Sequence, residues 1–95
     1  MKYKELLLLN KFNDQLITAI EGMGDNLTAE DEEEGCKDYM MTSVYEQDGE
    51  ELKLVDSGQM LTTEYIKDLE TKEIVARLAD YWETNKQYIE VIREN

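Results

Sequence analysis

The stretch that decides the fold is YKELLLLNKFNDQLITAIEG, residues 3–22. Leu6, Leu9, Phe12, Leu16, Ile20 and Met23 follow one another at steps of three or four, and Ile17 widens the stripe. That spacing marks one face of a helix. Gly22 and Gly24 stand where a C-terminal cap falls, and no breaker interrupts the run. The spacing predicts an amphipathic helix over 3–22.

Outward from it, residues 38–56 read as a β-hairpin. Tyr39 to Tyr45 and Leu52 to Val55 are rich in strand-compatible side chains, with Asp48-Gly49 between them as a two-residue turn. That turn would set Tyr45 opposite Leu52 and Ser43 opposite Leu54. A bulged three-residue turn would pair Val44 with Leu52 instead. Asp56-Ser57-Gly58 is a second turn signal, so Gln59 to Thr62 would complete a three-stranded meander. Beyond it, Tyr65, Ile66 and Leu69 suggest a short helix at 64–69. Ile74, Leu78, Trp82, Ile89 and Ile92 suggest a longer one at 72–93, with Thr71 as N-cap. The two segments would alternatively merge into one bent helix. The expected fold class is therefore α+β: an N-terminal helix, a small antiparallel hairpin or three-stranded meander, and two C-terminal helices packed on one face. At 95 residues the chain suits a single domain, 1–95. Leu, Ile, Val and Phe make up 22 of the 95 residues, enough to expect a folded but small core.

Charge is the other strong signal. Asp and Glu number 23 against 10 Lys and Arg, a formal net charge of -13. The excess is uneven: residues 1–22 sum to zero, 23–59 to -10 and 60–95 to -3. Thr28 with Asp31 three residues later loosely matches a capping box, so a helical turn could start there. The adjacent acids 30–34 repel one another, which suggests a mobile loop or a short frayed helix.

Several chemistries are disfavoured by composition. There is no His and one Cys, so no Ser-His or Cys-His pair, His-ligated zinc or internal disulfide can form. Cys36 lies beside five acids, which disfavour its thiolate. The acids of 25–36 are clumped, not alternated as a calcium loop requires. Glu30 with Glu33 and Glu70 with Glu73 have the spacing of helix-borne metal ligands but lack an apolar frame. The expectation is no enzyme activity, no cofactor, no dedicated metal site and no direct nucleic-acid binding. Tyr81, Trp82 and Tyr88 are expected in the core or in a homodimer seam along the C-terminal helix. No membrane span or secretory signal is evident, which suggests the cytoplasm, or a host's cytoplasm for a phage-encoded chain.

Solubility alone asks for a net charge of about 2–8 in a small domain, so -13 points to a cationic partner. The expected partner-binding residues are Glu30, Asp31, Glu32, Glu33, Glu34, Asp38, Glu46, Asp48, Glu50, Glu51 and Asp56. In size and composition the chain resembles the small acidic inhibitors of bacteriophages, which block restriction, CRISPR or other nucleic-acid enzymes, many as DNA mimics. The resemblance implies an inhibitor that occupies a basic, phosphate-binding surface. Immunity proteins against nuclease toxins are similar in size and acidity, but the well-known DNase-toxin type is all-helical. A third reading is an adaptor that binds its partner through the C-terminal amphipathic helix, with the acids only solubilising.

Overall fold

Residues 3–22 form a hairpin, not a helix. The computed structural model describes residues 3–22 and 27–95, so the expected cap residues Met23 and Gly24 lie outside the described residues. Strands β1 (Glu5–Asn10) and β2 (Gln15–Glu21) pair antiparallel, with Leu6 opposite Ala19 and Leu8 opposite Ile17. The apolar run 6–9 satisfies a helical stripe and a strand equally, because both periods fit four consecutive leucines. The turn decides between them. The Asn10 side chain accepts from the backbone N–H of Phe12, and Asn13 accepts from that of Gln15. Asp14 takes a left-handed conformation at φ 59°. These Asx turns offer the backbone an alternative to continuing a helix.

The chain then runs through a single helical turn, α1 (Ala29–Glu33), into the long strands β3 (Asp38–Asp48) and β4 (Glu51–Thr62). The Thr28 hydroxyl accepts from the N–H of Asp31, and the Asp31 carboxylate accepts from that of Thr28, closing the capping box. A 3-10 turn (Ile66–Asp68), helix α2 (Thr71–Tyr81), a second 3-10 turn (Lys86–Tyr88) and strand β5 (Ile89–Glu94) complete the order. The sheet has five antiparallel strands in the order β4-β3-β2-β1-β5.

The fold is thus mostly β. The expected N-terminal helix is absent, the segment 64–69 is only a 3-10 turn, and the expected helix 72–93 stops at Tyr81. The way it ends explains the difference. Thr84 N–H reaches the Ala79 carbonyl and Glu83 N–H reaches that of Asp80, while Glu83 adopts φ 54°. This is a Schellman-type cap with glutamate where glycine is usual. The β-branched run after it then pairs with the free edge of β1, with one bulge between Leu7 and Leu8. The N-cap is Glu70, not Thr71; the Glu73 carboxylate accepts from the Glu70 N–H. The hairpin also differs from expectation. Gly49, at φ 67°, and Glu50 form the turn, Tyr45 faces Leu54, and Ser57-Gly58 lies inside a continuous β4 instead of starting a third strand.

One sheet face carries the core. Leu6, Leu8, Ile17, Ala19, Met40, Val44 and Met60 pack with Ile66, Leu69, Ile74, Val75 and Leu78. Trp82 donates its indole N–H to Thr42 Oγ1 at 3.0 Å, and that hydroxyl donates to the Thr18 carbonyl at 2.8 Å. This relay through the buried Thr42 fixes the C-terminal end of α2 over the sheet centre. Gly58 leaves room for the Tyr81 hydroxyl, which would lie 2.0 Å from a Cβ placed there. The other face bears Leu7, Leu9, Leu16, Thr18, Ile20, Met41, Ser43, Tyr45 and Leu54 by register, all partly or largely exposed. Tyr39, at its corner, is buried, with its ring over Gly22. Among the described residues no helix is long and apolar enough to cross a membrane.

Two substitutions check this geometry. Gly22→Ala would set a methyl 2.1 Å from the buried Tyr39 ring, and we expect it to lower unfolding free energy by about 1–3 kcal/mol in denaturant titration. Glu83→Gly relieves the left-handed strain of the helix cap and is expected to raise stability by about 0.5–1 kcal/mol in the same assay.

Candidate functional site: the acidic hairpin

Pairing of β2 with β3 ends at Leu16 opposite Tyr45, so the hairpin beyond Tyr45 projects past its neighbour strand. This arm is amphipathic in an unusual way, because both its faces meet solvent. Glu46 lies opposite Lys53, Asp48 opposite Glu51 and Val44 opposite Asp56, which puts these side chains on the side facing α2. Tyr45 with Leu54 and Gln47 with Leu52 take the reverse side. Val55 is the extra residue of a bulge that keeps the alternation in phase on both sides. Glu50 sits in the turn. Every residue from Glu46 to Ser57 is exposed, including Leu52 and Leu54 at just over half of their surface.

The expected partner-binding residues do not form one patch. Glu46, Asp48, Glu50, Glu51 and Asp56 belong to the arm. Glu30, Asp31, Glu32, Glu33 and Glu34 belong to α1 and its C-cap, next to the start of β3. Measured along β3 from Asp38, Asp56 opposite Val44 lies about 20 Å away and Asp48 at the tip about 34 Å. Asp38 itself belongs to neither group. It is buried, with one carboxylate oxygen accepting from the Tyr39 N–H at 2.8 Å and the other from the Ile66 N–H at 2.9 Å. This residue anchors the 3-10 turn to the sheet and presents no charge at the surface.

Three of the five acids at α1 have a local explanation. Glu30, Asp31 and Glu32 occupy the first helical turn, where unpaired N–H groups favour negative charge. They are also wound into a helix, so they radiate around an axis and do not form the extended line of charge that adjacent acids suggest in sequence. The arm is different. Its carboxylates repeat along extended strands, and its acids make no ion pair. Among the described residues the two ion pairs are Lys72–Glu70 and Arg77–Glu64.

Sequence reasoning missed Glu83. The left-handed cap of α2 brings it beside Asp56, and both line a shallow cleft of about 280 Å³ with Trp82 and Val44. No sequence pattern links the two acids, since only the packing of α2 against β3 and β4 joins them. A larger groove of about 800 Å³ lies between α2 and β5, lined by Val75, Ala76 and Val91 with Lys72 and Lys86 at its rim. Glu73 also lines this groove, which the acids of the arm do not reach. No group of three or more Cys, Asp or Glu side chains among the described residues is arranged to hold a metal ion.

The best-defined charge pair is structural. Arg77 donates two hydrogen bonds to Glu64, at 2.7 and 2.9 Å, tying α2 to the segment after β4. The bidentate guanidinium holds the Glu64 carboxyl down at about 2, against an ordinary 4.5, and the carboxylate raises Arg77 in return. Because the folded-state value is depressed, the pair stabilises above the ordinary carboxylate range and its contribution fades as pH falls from about 4.5 toward 2. We expect Arg77→Gln to lower Tm at neutral pH. The gap to the parent protein should close over that acidic window in thermal scans at stepped pH.

No protein-family model, no curated protein and no solved structure matches this chain.

Proposed function

We propose that the protein is a non-enzymatic acidic binder that lays its β3–β4 arm on the basic surface of a nucleic-acid-handling protein, in the manner of phage anti-defence inhibitors. The carrying observation is the arm itself: a two-stranded projection with Glu46, Asp48, Glu51 and Asp56 along one face, Lys53 as its one cation, and no ion pair that neutralises it. Residues two apart on a strand advance about 6.8 Å, so these four acids less Lys53 give one net charge every 4–5 Å, roughly. One strand of DNA carries a charge about every 3.4 Å, and the duplex one about every 1.7 Å. The arm therefore approaches the charge density of a single strand and falls well short of a duplex.

Energetically, a cationic groove that receives the arm releases the counterions it holds in solution, and the rigid hairpin loses little entropy on docking. Steering by the -13 net charge speeds the encounter. The adaptor reading loses its surface: Ile74, Val75, Leu78 and Ala79 of α2 are buried against the sheet, and Trp82 is hydrogen-bonded to Thr42. The same burial removes the apolar stripe on which a homodimer through this helix would depend. A five-stranded sheet is also unlike the all-helical immunity proteins. The proposed setting is the cytoplasm, where such partners work.

The test is capture of partners on the immobilised protein, eluted with a salt gradient and challenged with single- and double-stranded DNA. We expect elution at moderate salt, and displacement by single-stranded DNA at lower concentration than by duplex. The triple variant Glu46→Lys, Asp48→Lys, Glu51→Lys should lose at least tenfold in affinity, whereas Glu32→Lys with Glu33→Lys should lose much less. Binding that ignores both salt and the arm reversal would overturn the proposal.

A further inference from the structure

Among the described residues, the β2–β4 part of the sheet face turned away from α2 is a broad surface that avoids charge. Of the face's described residues, those on β2, β3 and β4 include no charged side chain; Glu5, Glu90 and Arg93 stand along the β1–β5 side. In a chain with 35% charged residues, such exclusion needs a cause. A solvated antiparallel face ordinarily alternates to polar residues. Here Leu7, Leu9, Leu16, Met41, Tyr45 and Leu54 project from it, with Met41 and Leu54 each 53% exposed. A depression of about 190 Å³, bounded by Leu7, Thr18, Ile20 and Tyr45 and on its β1–β5 side by Glu5 and Arg93, gives the face relief in which a facing side chain can seat.

We infer that this face is the contact between two copies of the chain, packed sheet on sheet as a two-fold homodimer. Charge argues for the occupant. Two molecules of -13 repel through most of their surfaces, and this face lets them meet without opposing carboxylates at its centre. A basic partner would find no carboxylate on its β2–β4 part, which separates it from the acidic side of the arm. Size agrees as well. Five strands spaced about 4.8 Å, overlapping over some six residues, with the reverse side of the arm added, present roughly 600 Å² per copy; the pair then buries about 1,200 Å², the lower bound of stable specific interfaces. Uncharged centres with Met, Tyr and Leu are the composition such interfaces favour. A two-fold axis makes the contact self-complementary, and it leaves both acidic arm faces outward.

The proposal is tested by sedimentation velocity across micromolar to sub-millimolar concentration, at low and high salt. We expect a mass rising to twice that of the chain, with tighter association at high salt because screening relieves the mutual repulsion. Met41→Lys and Leu54→Lys, both at exposed positions, should weaken dimerisation at least tenfold with unchanged circular dichroism and Tm, and Glu46→Lys should leave it intact. A readout on the unaltered protein stands beside these: on dilution the Met41 methyl resonance should shift, while those of Met40 and Met60 on the core face stay fixed. A monomer at every concentration, a dimer that both lysine variants keep at parental strength, or dilution shifts confined to other surfaces would overturn it. This outcome is independent of the arm's partner, which the salt-eluted capture reads separately.

Discussion

Strand β1 is the constraint on which the rest of the structure depends. It lies between β2 and β5, so both of its backbone edges are hydrogen-bonded, and it joins the two ends of the chain. Leu6 and Leu8 are almost wholly buried on the face beneath α2, while Leu7 and Leu9 turn the other way. Were β1 helical, β2 and β5 would each lose a neighbour. A two-stranded β3–β4 ribbon has little independent stability, because a hairpin alone cannot offset its ordering entropy. The core cluster takes side chains from β1 through β4 and from α2, and its polar fastening runs from Thr18 through Thr42 to Trp82. Sheet and helix therefore stabilise each other through a small shared core, as expected of a chain this short.

That arrangement sorts the charge of the molecule. Antiparallel strands alternate their side chains between two faces, so placing one face under α2 assigns every other residue to the open side. Along β2, β3 and β4 the open side is neutral, and the acids collect on α1, on the arm and around the end of α2. The two proposed interactions draw on this separation. One uses carboxylates that extended backbone holds at regular spacing; the other uses the uncharged sheet that their exclusion leaves behind. The arm serves both, since its acidic and apolar sides are carried by the same two strands.

Parts of this architecture are legible in the amino-acid sequence. The hairpin follows from Gly49, a turn residue that tolerates positive φ between two β-rich runs, although the turn falls at Gly49-Glu50, one residue later than expected, and so moves the register. The capping box at Thr28 and Asp31 is also local chemistry and forms as expected. The departures from expectation share one origin. Residues 3–22 and 82–93 hold apolar side chains that satisfy helical spacing, and their breaks lack the usual marks. Asp14 and Glu83 take left-handed conformations without being glycine, and there is no proline in the chain. The Asn13-Asp14 pair is the available signal for the first turn; nothing comparable marks the second. Asp38 illustrates the same limit for the candidate site. An aspartate at the head of a strand reads as surface charge until a distant backbone N–H, that of Ile66, is found against it.

What the sequence determined by itself was chemical: the excess of carboxylates and its concentration in the middle of the chain, the lack of histidine, and the turns whose residues act on their own backbone. These depend on composition or on neighbours within a few positions. What the tertiary structure decided was which apolar segments became strands, which acids share a surface, and which face of the sheet stayed open. Those outcomes rest on partners far apart in the chain, such as Leu8 with Val91 or Asp56 with Glu83, and a strand is stable only when another segment satisfies its edges. A helix closes its own hydrogen bonds, so local spacing can suggest it; a sheet borrows them, and the lender is visible only once the chain is folded.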